Sequence, residues 1–246
     1  MRADFDEAEA LAGATLDLGL QIGDPDAFSI YAGQLFAMRS FAGRYGELLP
    51  LLEDTVAANP GMVAFELAHA ISCAAIGQTE APRRLLLEAA SEAFAGVPPD
   101  YFWVTTIIGY AVLTIELEEA EVAATLYPIL EPYSDHVAFN GATSQGPIAA
   151  YSGKLASLIG LHDLADQHLI RALDAATRFG WRYHEATTLV ALARSCLRRT
   201  GHLDDRARSR LEAAQAIVAE HGLSLVAHQI ESVRAGVPMS TGDAPL

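Results

Sequence analysis

Pro147-Ile148-Ala149-Ala150-Tyr151-Ser152-Gly153-Lys154-Leu155-Ala156-Ser157-Leu158-Ile159-Gly160 runs into Leu161-His162-Asp163-Leu164-Ala165-Asp166-Gln167-His168-Leu169-Ile170-Arg171-Ala172-Leu173. Apolar residues recur at spacings of three and four on both sides of Gly160, the period of an amphipathic helix. A glycine just past a helix end accepts the left-handed backbone that a C-cap needs. The stretch therefore reads as two helices, about 147–159 and 164–179, joined at a glycine turn. Gly153, Ala165 and Ala172 are small where two such helices must approach closely.

The same punctuation extends in both directions. Gly43 and Gly77 stand 34 residues apart, Gly77 and Gly160 83, and Gly160 and Gly201 41. The longest interval predicts a further turn near 117–119 that no glycine marks. Pairs of helices are expected at about 25–42 with 45–58, 62–76 with 80–94, 101–116 with 118–130, 147–159 with 164–179, and 183–199 with 204–220. A last helix is expected over 223–234. Asp24 is a plausible N-cap with Pro25 at the first helical position. Strict alternation of β-branched residues is nearly absent; Val104-Thr105-Thr106-Ile107-Ile108 sits inside a longer helical pattern. The expected fold is all-α, a right-handed superhelical solenoid of antiparallel helix pairs with about five units plus terminal helices.

The helical domain is expected over 1–235, with a frayed, flexible tail over 236–246. Residues 1–22 read as a lone amphipathic helix carrying Phe5, Leu11, Leu16, Leu18 and Leu20. It is either a capping helix or the second helix of a unit whose first is missing, and its unpaired face would favour a homodimer. Residues 131–146 form a connector far longer than the usual 2–8 residues between packed helices. It is either a functional element folded over the groove or filler.

The chain has 246 residues, of which 51% are hydrophobic and 19% charged, too apolar for disorder and ample for a core. Its net charge of −15 repels nucleic acid and anionic lipid over most of the surface. The charge is uneven: residues 1–130 carry five Lys+Arg against 19 Asp+Glu, and residues 131–246 carry 11 against 12. Two cysteines, Cys73 and Cys196, exclude a disulfide framework and suit a reduced, cytoplasmic protein. The acidic opening Met1-Arg2-Ala3-Asp4-Phe5-Asp6-Glu7 does not read as a signal peptide. The longest apolar stretch, 103–117, is broken by Glu116 and falls short of the roughly 18–20 residues that span a bilayer.

Several stretches carry a resemblance. They are Gly23-Asp24-Pro25-Asp26-Ala27, Gln34-Leu35, Gly43-Arg44, Glu47-Leu48-Leu49-Pro50-Leu51-Leu52-Glu53, Asn59-Pro60-Gly61, Ala93-Phe94, Val97-Pro98, Trp103, Leu126-Tyr127, Leu130, Pro132-Tyr133 and Gly146-Pro147. Together with the glycine-turn pairs, they resemble degenerate tetratricopeptide repeats. They resemble in particular the C-terminal helical-repeat region of large bacterial signalling ATPases, the adenylate-cyclase-linked or LuxR-type regulators. The resemblance implies a repeat sensor or scaffold that works beside other domains. Its residues are packing and turn positions, so it carries over no catalytic residue, no cofactor and no DNA-reading element.

No catalytic motif assembles. Ser152-Gly153-Lys154 supplies only the Gly-Lys of a phosphate loop, inside a predicted helix. Gly141-Ala142-Thr143-Ser144-Gln145-Gly146 has the wrong spacing for a hydrolase elbow. His184-Glu185-Ala186-Thr187-Thr188 lacks the second histidine of a zinc protease, and His162, Asp166 and His168 fall short of a four-ligand site. Neither a metal nor another cofactor is expected.

Arg194, Arg198, Arg199, Arg206, Arg208 and Arg210 cluster around one turn. They form either a patch for an anion or acidic partner, or a helix end whose cations suit the dipole beside Asp204 and Asp205. First helices line the inner surface of such arrays, which places Arg39, Glu66, His69, Tyr101, Tyr151, Lys154, Trp181, Arg182 and His184 as candidates for binding a partner. Trp103 fits the core better. Tyr133, His136 and Asn140 in the connector are candidates for lining a pocket. The reading that follows is a non-catalytic interaction module for a protein, a peptide or another domain of the same regulator. The alternative is a small-molecule sensor with its pocket beside the connector. An open polar-rimmed surface would favour the first, and a closed apolar pocket the second.

Overall fold

The computed structural model describes residues 4–236. Among them are twelve α-helices: α1 Phe5–Ile22, α2 Ala27–Phe41, α3 Leu49–Ala58, α4 Val63–Ala75, α5 Glu80–Ser91, α6 Trp103–Glu116, α7 Ala120–Leu130, α8 Ile148–Leu158, α9 His162–Arg178, α10 Arg182–Thr200, α11 Asp205–His221 and α12 Ser224–Ala235. The expected helices are present, and four of the five expected pairs pack together, α4 with α5, α6 with α7, α8 with α9 and α10 with α11; α2 packs mainly on α1 rather than on α3, so the N-terminal helix expected to be unpaired has a partner. Of the expected tail, only Gly236 falls within the described residues. No described helix is long and apolar enough to cross a membrane.

Turn chemistry accounts for most boundaries. Asp24 does not cap α2 by the expected route: its carboxylate accepts from the Asp26 amide at 2.9 Å, and the helix starts only at Ala27. The turn expected near 117–119 is there, made by Glu118 at φ 53° without a glycine. A left-handed non-glycine residue is disfavoured by about 1 kcal/mol, and an ion pair holds this one: Arg198 of α10 donates to Glu118 at 2.6 Å. The second helix of that pair starts at Ala120 rather than 118. Ala93 and Phe94 are also left-handed, and α5 ends at Ser91 instead of continuing to 94. That kink buries the Phe94 ring against Tyr110, with centroids 5.0 Å apart.

The connector is less irregular than its composition suggests. It carries a short antiparallel ribbon, β1 (Val137–Phe139) and β2 (Ser144–Pro147), with a bulge after Ala138. Ala138 is fully buried in the core beside α6, and Ser134 donates to Ser152 of α8 at 2.9 Å. These contacts fix both ends of the connector to the helices.

Two layers result. From α4 onward the even-numbered helices pack in succession, α4 on α6, α6 on α8, α8 on α10 and α10 on α12. The odd-numbered helices flank them; α9, for instance, packs on both α8 and α10. The sequences match these roles. α8 is Ala/Ile/Leu/Ser-rich and buried on almost every side, whereas α9 buries only the stripe Ala165, His168, Leu169, Ala172 and Ala176.

Helices α1 and α2 form a first hairpin, and it reaches the C-terminal helices. Phe5 and Phe41 join the core formed by α10, α11 and α12. The Phe41 and Tyr183 ring centroids lie 4.5 Å apart. Ser224, the first residue of α12, donates to the Ala42 carbonyl at 3.2 Å. Gly43 is required twice over there: its φ is +76°, and a Cβ would meet that of Leu225 at 3.1 Å.

Two glycines should respond oppositely to one substitution. A Cβ on Gly153 would fall 2.6 Å from Leu169 Cγ and 3.1 Å from the Ala165 carbonyl, whereas Gly33 in α2 has open space. Gly153→Ala is expected to destabilise by about 1–3 kcal/mol through overpacking. Gly33→Ala is expected to stabilise by about 0.5–1 kcal/mol through lower backbone entropy in the unfolded chain. Urea midpoints at unchanged slope will distinguish them.

Candidate functional site

The candidates separate into three groups by what surrounds them. The first group is already engaged or stands apart. Arg39 donates through Nε to Glu9 of α1 at 3.2 Å, and Arg182 donates to Glu185 one turn along at 2.8 Å. Glu66 and His69 lie on α4, where the His69 ring approaches Cys73 Sγ at 3.6 Å. Tyr101 is 70% exposed and rests on Phe102.

The second group is the connector. Tyr133 packs edge-on against Trp103 at 5.4 Å, and Trp103 itself sits partly buried against the main core. His136 is exposed beside Tyr133. Asn140 closes its own turn, its Oδ1 accepting from the amides of Ala142 and Thr143. Tyr133 and His136 meet edge-on at 6.5 Å, whereas Asn140 is engaged within its own turn. The last residues of the connector behave differently and form part of the third group.

The third group does converge. Tyr151 and Lys154 on α8 face Tyr183 and His184 near the start of α10, because α8 and α10 are neighbours in the inner layer. Tyr151 donates to the Gln145 carbonyl at 2.8 Å. The Lys154 ammonium lies 5.7 Å from the Tyr151 ring centroid. The His184 ring lies against Gly146, where a Cβ would fall 2.4 Å from Cε1, so only glycine fits at that point of β2. Phe41 and Trp181 meet the same imidazole at centroid distances of 5.7 and 6.2 Å.

Burial governs the electrostatics. It pushes Tyr151 and Tyr183 well above the ordinary tyrosine range. Lys154 is pushed down to about 8, first by burial and then by the nearby charge of Arg194. His184 falls to about 3, again by burial and then by Lys154, and so stays neutral across the physiological range. Arg194 falls to about 10 by burial and by Arg198, and donates to Ser232 at 3.1 Å. Lys154 has no hydrogen-bond or ion-pair partner among the described residues, and it is the chain's only lysine. His184 Nε2, Gln145 Oε1 and Thr188 Oγ1 are likewise buried and without partners among those residues. An unpaired buried charge is expensive, and unsatisfied polar atoms add to it. The arrangement holds a positive charge beside aromatic rings and away from most of the solvent.

The arginine cluster does not form a bare patch. Arg198 is bound to Glu118, Arg199 to Asp166 at 2.9 Å, and Arg208 lies 3.6 Å from Asp205. A groove of about 550 Å³ over α5 is lined by that helix alone, including Arg83, Arg84 and Glu88. Among the described residues no cluster of His, Cys, Asp and Glu could hold a metal.

Sequence reasoning picked out Tyr151, Lys154 and His184 but missed Tyr183 and Gln145. A lone lysine in a chain whose other cations are arginines was the signal available; the burial of its neighbours was not.

The acid limb of the stability curve should report His184. Its pKa is near 6.5 unfolded and about 3 folded, so the unfolded chain binds the extra proton between those values. Stability is complete above pH 6.5 and falls as pH drops towards 3, by up to about 4–5 kcal/mol at roughly 1.4 kcal/mol per unit. In His184→Gln the slope over that window is expected to flatten, as read by urea unfolding at several pH values.

No family model matches the chain, and neither a curated protein nor a solved structure matches it.

Proposed function

We propose that this chain is a non-catalytic binding module, a tetratricopeptide-like right-handed solenoid that serves as a sensor or scaffold in a bacterial signalling or transcriptional regulator of the cytoplasm. Two layers of alternating helices and glycine-capped turns support the repeat reading. Of its two possible occupants, a small molecule is favoured over a protein segment. The observation that carries this is Lys154, the only lysine, held among the helices with no hydrogen-bond or ion-pair partner among the described residues. A group kept at a cost to stability is characteristic of a site whose ligand supplies the missing interaction. The groups that support this reading cluster at the end of the connector, near Gln145 and Gly146, rather than at Tyr133, His136 and Asn140.

A protein partner remains the second reading because of α1. Leu11, Leu18, Leu20 and Ile22 are each more than half exposed there. Such a face suits another helix, from a second copy or from a neighbouring domain.

Thermal-shift screening of the full chain against small acids, sugars, nucleosides and amines tests the favoured reading. Wild type is expected to gain stability with one chemical class. Lys154→Met is expected to be more stable than wild type without ligand at pH 7, by about 1–3 kcal/mol, and to gain nothing from that class. A Lys154→Met protein less stable than wild type, together with a silent screen, would overturn it.

A further inference from the structure

We infer that the exposed stripe of α1 formed by Leu11, Thr15, Leu18 and Ile22 docks a basic amphipathic helix of a partner protein. This rests on the protein-partner reading of α1 above and is independent of Lys154.

Helix geometry defines the surface. At 3.6 residues per turn, residues spaced four, three and four apart fall on one stripe about 16 Å long. Leucines at 11 and 18 alternate with the β-branched Thr15 and Ile22, the pattern of a two-helix coiled-coil seam. All four side chains are exposed, and Leu11, Leu18 and Ile22 are each more than half so. Thr15 spends its hydroxyl on the Leu11 carbonyl at 2.8 Å and brings no unmet donor to the stripe. Helix α1 holds to its own fold by a different face. Ala12 and Gly19 are buried about a quarter turn away, and a Cβ on Gly19 would fall 2.6 Å from that of Ala27 in α2. Phe5 secures the other end in the core of α10, α11 and α12. The stripe is what α1 leaves over once those contacts are made.

Charge selects the occupant. Residues 4–26 hold seven Asp and Glu and no Lys, Arg or His. Glu9 is taken by Arg39 and Arg44. The other six, Asp4, Asp6, Glu7, Asp17, Asp24 and Asp26, are exposed and have no ion-pair partner among the described residues. Asp4 and Glu7 continue the stripe at its N-terminal end, and Asp24 and Asp26 follow it beyond Gly23. The last turn of α1 holds no basic residue, so the negative pole of the helix adds to the field of Asp24 and Asp26. A helix with Lys or Arg beside its apolar seam complements both the stripe and its border. A second copy would set the same carboxylates against each other, and anionic lipid is repelled in the same way.

Two fluorescein-labelled helical peptides of about 18 residues test the surface. They share one leucine seam; the first carries lysine on its remaining face and the second glutamate. Fluorescence anisotropy with the full chain at physiological salt reads their binding, and sedimentation equilibrium of the chain alone reads self-association. The lysine peptide is expected to bind at about 1–50 μM and the glutamate peptide about tenfold or more weaker. Leu18→Gln combined with Ile22→Gln is expected to weaken the lysine peptide by about tenfold or more. Leu20→Gln, as exposed as Leu18 but on the opposite side of α1, is expected to leave it within about twofold. Equal losses from Leu20→Gln and from the pair, or a loss from neither, would overturn the stripe. Equal binding of the two peptides would overturn the basic partner. A chain that self-associates through Leu18 and Ile22 would overturn it in favour of a second copy and leave the protein-partner reading in place. A monomeric chain that binds neither peptide would overturn both.

Discussion

Phe41 is the contact on which the arrangement depends. It ends the first hairpin, yet its ring lies between Phe5, Tyr183 and His184, at centroid distances of 6.5, 4.5 and 5.7 Å. Aromatic pairs at such separations contribute about 0.5–1.5 kcal/mol each beyond the area they bury. Residues more than a hundred positions apart are thereby held together, and the neighbouring contact of Gly43 with Leu225 closes the same seam. Helix α10 lies at this seam and packs on α8. With the hairpin closed onto α10, the polar groups of those helices are partly withdrawn from water, and withdrawal is what shifts Lys154 and His184.

That shift has opposing consequences. An ammonium without a partner weakens the fold, and so does an imidazole that must stay neutral. Two half-buried arginines are paired: Arg198 finds Glu118 across the layers, and Arg39 finds Glu9 across the first hairpin. The departure from that pattern at Lys154 is local, and it coincides with Gly146, the position where the connector comes closest to an imidazole.

Much of the fold was legible because local chemistry set it. Glycines past apolar stretches marked the helix ends, and the missing turn could be placed near 118 from spacing alone. Local pattern could not reveal the ribbon in the connector, since β1 and β2 hold few β-formers and depend on Ala138 fitting beside α6. Nor could it reveal the closure, because nothing near Phe41 in sequence announces Tyr183. The site was half legible for the same reason. Tyr151, Lys154 and His184 were named as inner-surface residues, but Arg39 and Arg182 carried the same expectation and are held by carboxylates. The arginine cluster illustrates the reverse case: its members looked alike in sequence, and carboxylates of other segments, Glu118 and Asp166, single out Arg198 and Arg199.

The most direct test is the ionisation of Lys154, followed by its single ¹³C-lysine signal across pH in wild type and in Phe41→Ala. Closure of the first hairpin onto α10 implies a wild-type value near 8 and a rise towards the ordinary 10.5 once Phe41 is truncated. A wild-type lysine that titrates near 10.5, or one that does not respond to the loss of Phe41, would contradict the account.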